Sequence, residues 1–453
     1  MKILLVNPPV GFGYYSMGLS RPPLGLAYIA SLLIDKHRVE IVDFNVEKPR
    51  WGRYPFAGFD VVGISADTAR YNVAMKIARR AKTAGATVVM GGPHVSFFDE
   101  DALRSGAVDY IIRNEGEYSF LSLIQHLMGE ISIEDVKGLS YLTSGGILRT
   151  PPAPFITDLD SLPFPARELL PLRRYKEKID GRPMTTMITS RGCPFNCNFC
   201  SSSQFSGVRW RPRSADGIME EIDFLYHEHG YRAINFIDDN FTLNPKRAIE
   251  ISERIIAGGY DLHWEAMSHI ETVVKHPEMV EAMARAGLHW MFLGFESGSQ
   301  EILNEYGKKS SLEDARRAVD ILHENGVKII GAFILGAIGD SDRTMHETIA
   351  LAKSLNPSRA QFSLLTPYPG TKLFERVKEK LLTSNWEMYS GLHPTIRLDK
   401  ITPQRLNRFL FKAYAGFYLR PPKAIENFKY IYRTLPSAIS LITTNLFSRG
   451  YRV

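Results

Sequence analysis

One stretch holds every cysteine of the 453-residue chain: Ser190-Arg191-Gly192-Cys193-Pro194-Phe195-Asn196-Cys197-Asn198-Phe199-Cys200. Three thiols spaced CxxxCxxC do not suit a disulfide framework, which needs an even number of cysteines. Three thiolates on one loop can instead hold three irons of a [4Fe–4S] cluster, which leaves the fourth iron open to a substrate. A structural zinc ion would need a fourth Cys or His at matching spacing, and none lies nearby in the sequence. The stretch therefore predicts an iron–sulfur site.

The composition is that of a globular protein with 44% hydrophobic and 23% charged residues, and the length allows two or three domains. The N-terminus does not resemble a signal peptide, and no apolar run approaches the ~20 residues of a membrane span. We therefore expect a cytoplasmic, reducing location, which an oxygen-labile cluster needs. The formal charge of +6 is uneven, because residues 401–453 carry nine Lys or Arg and one Glu.

Residues 1–130 alternate between short apolar strands and segments of helix length. Strands are predicted at 2–6, 39–43, 60–64, 87–90 and 109–112, with the clearest helices at 23–34 and 71–84. This alternation predicts a doubly wound parallel sheet, which binds ligands at the carboxyl ends of its strands. Polar or glycine-rich tips follow four strands, namely Asn7-Pro8-Pro9, Ser65-Ala66-Asp67-Thr68, Gly91-Gly92-Pro93-His94 and Asn114-Glu115-Gly116-Glu117. No GxGxxG follows the first strand, so the pattern does not favour a dinucleotide.

Three further segments follow. Residues 131–183 are predicted to be a proline-rich connector with a small hairpin, acting as a strut between the flanking domains. In residues 184–385 six strands each precede a helical stretch, which predicts a partial (β/α)6 barrel of the TIM type with functional residues at the strand ends. Residues 386–453 are predicted to form a helical basic extension. One face of its first helix is apolar, which favours packing on the barrel over binding to a membrane surface.

The cysteine spacing closely resembles the signature of radical S-adenosylmethionine (SAM) enzymes. The resemblance implies that Cys193, Cys197 and Cys200 hold the cluster and that Phe199 packs near the adenine of SAM. It further implies SAM contacts from strand ends of the barrel, which are Asp238, Asp239, Glu296, Ile338, Leu365 and Thr366. Asp238-Asp239 departs from the common Gly-Gly-Glu of that family. Any single carboxylate, and Asp238 in particular, could instead be a helix N-cap.

The first domain carries the ordered segments PP, RPPLGLAYIA, GIS, GGPH and GE, which resemble the Rossmann-like cobalamin-binding domain of one radical SAM branch. The resemblance implies cobalamin contacts from Pro9, Ser65, Asp67, Thr68, Arg70, Tyr71, Gly91, Gly92, His94, Asn114 and Glu115. The DxHxxG motif that supplies a cobalt ligand elsewhere is absent from the sequence. We expect His37 on the surface, His94 against corrin amides, and one of Asp67, Arg70 or Tyr71 below the cobalt.

Together these resemblances cover nearly the whole chain and identify a class B radical SAM C-methyltransferase. In that family one SAM methylates cob(I)alamin, and a second SAM is reduced by the cluster to a radical that abstracts hydrogen from an unactivated carbon. The electron comes from an external donor such as flavodoxin or ferredoxin. Alternatives are cyclisation or oxidation without net methyl transfer and, outside catalysis, a cobalamin sensor. A methylthiotransferase would need three further cysteines, which the sequence lacks.

The substrate is left open by the sequence. The branch acts on lipids, tetrapyrroles and protein side chains, including a glutamine of methyl-coenzyme M reductase, so a protein, peptide or small molecule is expected. The basic C-terminus could contact an acidic protein or a membrane surface. The run Arg209-Trp210-Arg211-Pro212-Arg213 could bind nucleic acid, but we interpret it as an interdomain or corrin contact and expect no nucleic-acid partner. The remaining histidines show no metal-ligand spacing.

Overall fold

The computed structural model describes residues 1–10 and 20–428 as two α/β units and a short helical extension. The predicted helix at 438–447 and most of the one at 425–435 lie outside the described residues, as do the last basic residues of the tail. Among the described residues, no helix has both the length and the apolar character needed to span a bilayer.

The first unit is a seven-stranded sheet of order β2-β1-β3-β4-β5-β6-β7, whose first five strands are parallel. Its strands are β1 Lys2–Asn7, β2 Arg38–Asp43, β3 Val61–Ser65, β4 Thr87–Gly91, β5 Tyr110–Ile112, β6 Leu139–Thr143 and β7 Gly146–Arg149. Helices α1 Leu24–Ser31, α2 Tyr71–Thr83, α3 Pro93–Phe97, α4 Glu100–Arg104 and α5 Glu117–Leu127 accompany it. Apolar cores lie on both faces, which confirms the predicted doubly wound sheet.

The hairpin β6–β7 is part of this first sheet. It was predicted to belong to a connector, but β6 pairs antiparallel with β5 through Ile111 and Ser140. β7 then forms the sheet edge, and Arg149 makes an ion pair with Asp99 at 2.7 Å. The hairpin therefore extends the first sheet rather than standing between the two units.

The second unit is a half-barrel of order β16-β15-β14-β13-β12-β9-β8, in which β9 and β12 to β16 are parallel and follow chain order. Its strands are β8 Lys178–Ile179, β9 Arg182–Met187, β12 Ala233–Phe236, β13 His263–Ser268, β14 Leu288–Glu296, β15 Lys328–Leu335 and β16 Arg359–Leu364. A separate ribbon joins β10 Ser190–Arg191 to β11 Arg211–Pro212. The six parallel strands confirm the predicted partial barrel.

The barrel helices cover the outer face of this sheet. They are α6 Ser201–Ser206, α7 Ala215–His227, α8 Pro245–Ala257, α9 Ile270–Lys275, α10 Pro277–Arg285, α11 Gln300–Tyr306, α12 Leu312–Glu324, α13 Asp342–Leu355 and α14 Lys372–Val377. Burial alternates along β13 and β15, since the residues that face outward pack under these helices and the others face the lumen. The lumen side is therefore free to line a cavity.

The extension consists of α15 Pro403–Tyr418 and α16 Pro421–Glu426. The apolar face predicted for α15 is buried, including Phe409 and Phe417. The hydroxyls of Tyr414 and Tyr418 donate to the carbonyls of Phe362 and Ala360, which ties α15 to the outer strand β16. The prediction that this helix packs on the barrel is thus confirmed for the described residues.

Candidate functional site

The three cysteines lie on a loop that the β10–β11 ribbon closes. Gly192 has φ +81°, and a Cβ there would lie 2.5 Å from the Arg209 carbonyl, so the tight turn requires glycine. The Cys193 N–H donates to the Gly207 carbonyl at 3.3 Å, and Cys200 directly precedes α6. Burial raises the pKa of Cys193 to about 11, and the charges of Cys200 and Cys197 add to that effect. The thiols are thus close neighbours that would ionise together only beside a cation, which suits an iron cluster.

Two aromatic contacts hold this loop against the barrel. Phe195 stacks on His269, with ring centroids 3.8 Å apart, at the end of β13. Phe199 meets Tyr306 edge to face at 5.0 Å. Burial lowers the pKa of His269 to about 3, so its imidazole is neutral. His269 was not among the predicted site residues, because nothing in the local sequence links it to the cysteine loop.

Glu296, at the end of β14, carries the most unusual backbone of the barrel strands. Its φ of +59° is left-handed although it is not glycine, and a register shift interrupts the pairing with β15 there. Its carboxylate accepts an ion pair from Lys308 Nζ at 2.9 Å. Burial lowers the pKa of Lys308, but Glu296 and the Cys197 thiolate raise it more, so the net shift is upward. Lys308 therefore adds a buried cation beside the cluster loop that the sequence analysis missed.

The two predicted carboxylates after β12 differ in what they touch. Asp238 is 1% exposed and accepts hydrogen bonds from the Thr189 N–H at 2.7 Å and the Ser190 hydroxyl at 2.6 Å. Both of its oxygens accept hydrogen bonds from the segment before the cysteine loop, and its contact to SAM stays a prediction. Asp239 accepts from the Ser202 hydroxyl in α6 and borders a cavity, so the structure favours it for a ligand contact.

The other residues predicted to contact SAM lie at the same end of the barrel. Leu365, Thr366 and Phe199 line a cavity of about 1730 Å³. Ile338 packs with Phe199 and Leu365 in one apolar cluster. The structure therefore brings these four residues together above the barrel lumen, while their roles stay predictions.

The tips of the first sheet face the cysteine loop across a second cavity of about 290 Å³. Five predicted cobalamin residues line it, namely Ser65, Gly91, Gly92, Asn114 and Glu115. Gly92 has φ +105°, and a Cβ there would lie 2.6 Å from the Ala66 carbonyl. Ser65 also borders the larger cavity, so the two spaces adjoin at the end of β3. The glycine keeps the backbone tips open at the strand ends, where sheets of this kind bind their ligands.

Part of the predicted cobalamin set lies elsewhere. His94 is buried in a core of Tyr71, Phe98 and Trp386, and its Nδ1 lies 3.3 Å from the Thr68 hydroxyl. Burial lowers its pKa to about 3. His94 lies in α3, which begins at Pro93, and its imidazole is buried in that core, so its contact with corrin amides stays a prediction. Tyr71 and Thr68 share that core and do not face the cleft.

Arg70 is the member of the Ala66–Tyr71 loop that reaches the large cavity. Its Nη1 donates to the Asn7 side chain at 2.8 Å, and Asp67 accepts an ion pair from its Nη2 at 2.7 Å. Asn7 itself lines the cavity, whereas the prediction named Pro9 two residues later. Asp67 is thus held as the partner of Arg70, and the arginine is the group presented at the strand ends.

A buried ionic seam joins the two units beside the cysteines. Arg191 pairs with Glu115 at 3.2 Å and with Glu117 at 2.6 Å, and Arg211 pairs with Glu115 at 2.8 Å. The carboxylate predicted to touch cobalamin is therefore engaged by arginines of the cluster ribbon. The run 209–213 forms interdomain contacts through Arg211, as one of the two interpretations proposed.

Charged side chains also enter the barrel lumen. Arg21 of the first unit reaches Glu177 at 3.1 Å and Glu265 at 3.2 Å. His263 and His289 stack with ring centroids 4.7 Å apart, and Asp180 lies near both. These neighbours come from separate segments of the chain, so their proximity was not visible as a spacing in the sequence.

Comparison with known proteins gives two matching family models. The Radical SAM superfamily matches residues 187–352, and the B12 binding domain matches residues 16–124. An uncharacterized methyltransferase of Pyrococcus horikoshii is 40% identical over 94% of each chain. The anaerobic magnesium-protoporphyrin IX monomethyl ester cyclase of Cereibacter sphaeroides is 28% identical, covering 93% of this chain and 71% of its own. Hopanoid C-3 methylase of Methylococcus capsulatus is also 28% identical, covering 92% and 81%.

Two solved structures share the fold. The radical SAM methyltransferase TsrM from Kitasatospora setae, with cobalamin and a [4Fe–4S] cluster bound, superposes with a TM-score of 0.68 at 19% identity. It covers 84% of this chain and 75% of its own. The cobalamin-dependent SAM radical enzyme OxsB, with aqua-cobalamin and SAM bound, gives a TM-score of 0.77 at 18% identity, covering 97% and 71%.

Proposed function

The chain belongs to the cobalamin-dependent radical SAM methyltransferases, and we propose that it methylates an unactivated carbon with SAM as both radical source and methyl donor. Its cofactors are a [4Fe–4S] cluster, SAM and cobalamin. When bound, the cluster supplies the electron that cleaves SAM, and the cobalamin carries the methyl group. The protein's own task is to hold these groups and the substrate in one enclosed space.

The observation that carries the proposal is the continuity of the large cavity. Its lining includes Asn7 and Ser65 at the strand ends of the first sheet and Phe199 and Leu365 at the cluster end of the barrel. A substrate carbon in this space would face both cofactor sites at once. Transfer of a methyl group between two sites needs such a shared space that excludes water, because a primary radical is unselective and must be kept from side reactions.

Named side chains divide the work of binding. We propose that Cys193, Cys197 and Cys200 hold the cluster and that Asp239 and Glu296 meet the polar groups of SAM. Lys308 holds Glu296 in place through the 2.9 Å ion pair. Phe199, Ile338, Leu365 and Thr366 supply the apolar wall for the adenine. Ser65, Gly91, Gly92 and Asn114 form the proposed cobalamin cleft, with Arg70 presented beside it.

The test is product analysis with labelled SAM. The reconstituted enzyme, a reductant and SAM carrying a deuterated methyl group are incubated anaerobically with extracts of the host, separated into lipid, small-molecule and protein fractions. The proposal expects one fraction to gain a deuterated methyl group together with release of 5′-deoxyadenosine. Release of 5′-deoxyadenosine with a changed product that carries no added methyl group would contradict it.

That second result is the specific outcome of a rival reaction. A relative covering 93% of this chain is named a cyclase, so cyclisation or oxidation without net methyl transfer is the second function to consider. The two differ in product mass, because only methylation adds a CH₂ unit. The relative with 40% identity is named a methyltransferase, which favours methylation.

Radical SAM enzymes need an electron donor and a substrate. We propose flavodoxin or ferredoxin as the donor and a reducing cytoplasm as the location, because the cluster is labile to oxygen. A lipid, a tetrapyrrole or a protein side chain such as a glutamine of methyl-coenzyme M reductase all stay within the proposal. The described part of the extension packs on the barrel, so any membrane contact would fall to its exposed face and to the residues that follow.

A further inference from the structure

The lower end of the barrel lumen, opposite the cofactor sites, has an excess of basic side chains. Lys328 and Arg359 are the first residues of β15 and β16, and both line the large cavity. Lys176 and Lys178, which precede or begin β8, line it too. The cofactor end of β15 is seven residues above Lys328, or about 23 Å at the usual rise of a strand. The phosphate of cobalamin and the carboxylate of SAM therefore do not account for these cations.

The acidic side chains of the same cavity do not neutralise the lysines. Glu177 and Glu265 both pair with Arg21, at 3.1 and 3.2 Å. Asp180 is largely exposed, and the Nδ1 of His263 lies 4.0 Å from its carboxylate. Across residues 1–10 and 20–428, none of Lys176, Lys178 and Lys328 has a carboxylate within ion-pair distance. This end of the cavity is therefore open to a negatively charged ligand.

Trp290 gives this basic end a platform. The Arg359 guanidinium lies 4.5 Å from its ring centroid, and the Lys328 ammonium lies 5.6 Å from it. Strand register places Lys328 beside Trp290, and Arg359 beside Ile330. Phe292 and Ile330 line the wall one step above Trp290 and Lys328, in register with Arg359, and Gln361 lines it one step higher. One continuous space thus has a cationic end with apolar side chains beside it, below the cofactor sites.

We propose that the substrate is an elongated amphipathic anion whose phosphate or carboxylate group binds at Lys328, Arg359 and Trp290. Its apolar part would extend along Phe292 and Ile330 toward the cofactors, where the reacting carbon lies. This inference rests on the proposed function, since it treats the lumen as the substrate site. The basic residues at the lower end favour an anionic ligand, and the distance from this end to the cofactor end favours a long one.

The first experiment titrates the anaerobically purified full-length protein with single-chain amphiphiles below their micelle concentrations. Dodecyl phosphate and dodecanoate are compared with dodecyltrimethylammonium, which has the same chain and the opposite charge. Intrinsic tryptophan fluorescence reports binding, and Trp290→Phe assigns the signal. The inference expects both anions to bind with a response that Trp290→Phe removes. Equal or tighter binding of the cationic amphiphile would overturn it.

The second experiment compares the double variant Lys178→Gln/Lys328→Gln with a matched control. Lys36→Gln/Lys246→Gln removes two exposed lysines that do not line the cavity. We expect dodecyl phosphate to bind about tenfold or more weakly to the first variant and unchanged to the second. Equal loss in both would show a nonspecific charge effect and overturn the lumen site. Binding only to phosphatidylglycerol vesicles, with none to the free amphiphiles, would also overturn it by placing the anion site on the surface.

The two proposals fail separately. Cleavage of SAM by the reconstituted enzyme and its binding of cobalamin are measured on the same variants without any amphiphile. Normal SAM cleavage and cobalamin binding, with no preference for anionic amphiphiles, would contradict the proposed substrate class alone. Absence of SAM cleavage by the wild-type protein would contradict the proposed function, whether or not the amphiphiles bind.

Discussion

The cluster loop and the strand tips of the first sheet prepare for their cofactors in two different ways. The loop concentrates its three cysteines within eight residues, and one glycine and one ribbon shape it. The proposed cobalamin cleft collects single residues from the ends of three strands, at Ser65, Gly91 and Asn114. The first site is encoded locally, whereas the second exists only when the whole sheet has formed.

The two sites should therefore respond to different substitutions. A local loop loses its cofactor when its ligands are removed, and the rest of the fold should stay intact. A site built from strand tips fails when the backbone of any tip is displaced. The seam of Arg191 and Arg211 with Glu115 and Glu117 is the point where the two kinds of site depend on one another.

Removal of the local ligands gives the largest expected effect. Replacing Cys193, Cys197 and Cys200 together by Ala should abolish the cluster absorption and the cleavage of SAM, because no other cysteine exists in the chain. Cobalamin binding should persist, since the cleft residues come from the other sheet. Absorption spectroscopy and release of 5′-deoxyadenosine measure the two sites separately. Loss of cobalamin binding in a folded triple variant would show that the sites are not independent.

Breaking the seam should lower the stability of the fold. Arg191→Gln leaves Glu117 buried without its 2.6 Å ion pair, and the side chains of both residues are at most 13% exposed. We expect a loss of about 3–5 kcal/mol in unfolding free energy. Arg182→Gln is the control, because its partner Asp261 is 75% exposed and that solvated pair should contribute little to stability. Equal effects in denaturant unfolding would contradict a role for burial at the seam.

Gly92 tests the strand tips by themselves. Gly92→Ala and Gly58→Ala both place a side chain at positive φ, but only the first brings a Cβ within 2.6 Å of backbone. The steric conflict should lower stability by about 2 kcal/mol more at Gly92 than at Gly58. Cobalamin affinity should fall only for Gly92→Ala, with the cluster absorption unchanged in both. Similar stability and affinity in the two variants would mean that the close approach is not needed.

His94 gives the smallest effect and sharpens the boundary of the cobalamin site. Burial holds its pKa at about 3, below the ordinary value of 6.5, so the folded protein binds fewer protons than the unfolded chain between these values. Protonation of the unfolded chain therefore lowers the unfolding free energy as the pH falls below 6.5, by about 1.4 kcal/mol at pH 5.5.

The variant His94→Phe should remove this part of the pH dependence, measured by urea unfolding at pH 7.5 and 5.5. It keeps an aromatic ring against Tyr71 and Trp386. Cobalamin affinity should not change at either pH. A weaker affinity in a stable His94→Phe protein would return the imidazole to the cobalamin site.

Sequence reasoning succeeded where a residue's role depends on its neighbours along the chain. Strand periodicity located both sheets, and the cysteine spacing identified the cluster loop. It did not foresee that the His94 imidazole is buried in the core or that Asp238 accepts hydrogen bonds from Thr189 and Ser190. It also missed partners brought in from distant segments. Lys308 meets Glu296 only once the barrel has folded, and Arg191 meets Glu117 only after the two units dock.

In the proposed enzyme, one chain binds a cluster and a corrin around a single space. The most direct test supplies the anaerobically reconstituted full-length protein with cobalamin, removes the excess, and then adds SAM and a strong reductant. We expect one bound corrin and about four irons per chain, with release of 5′-deoxyadenosine from the same sample. Release of 5′-deoxyadenosine from a protein that retains no corrin would contradict it, because the first sheet would then serve a different ligand.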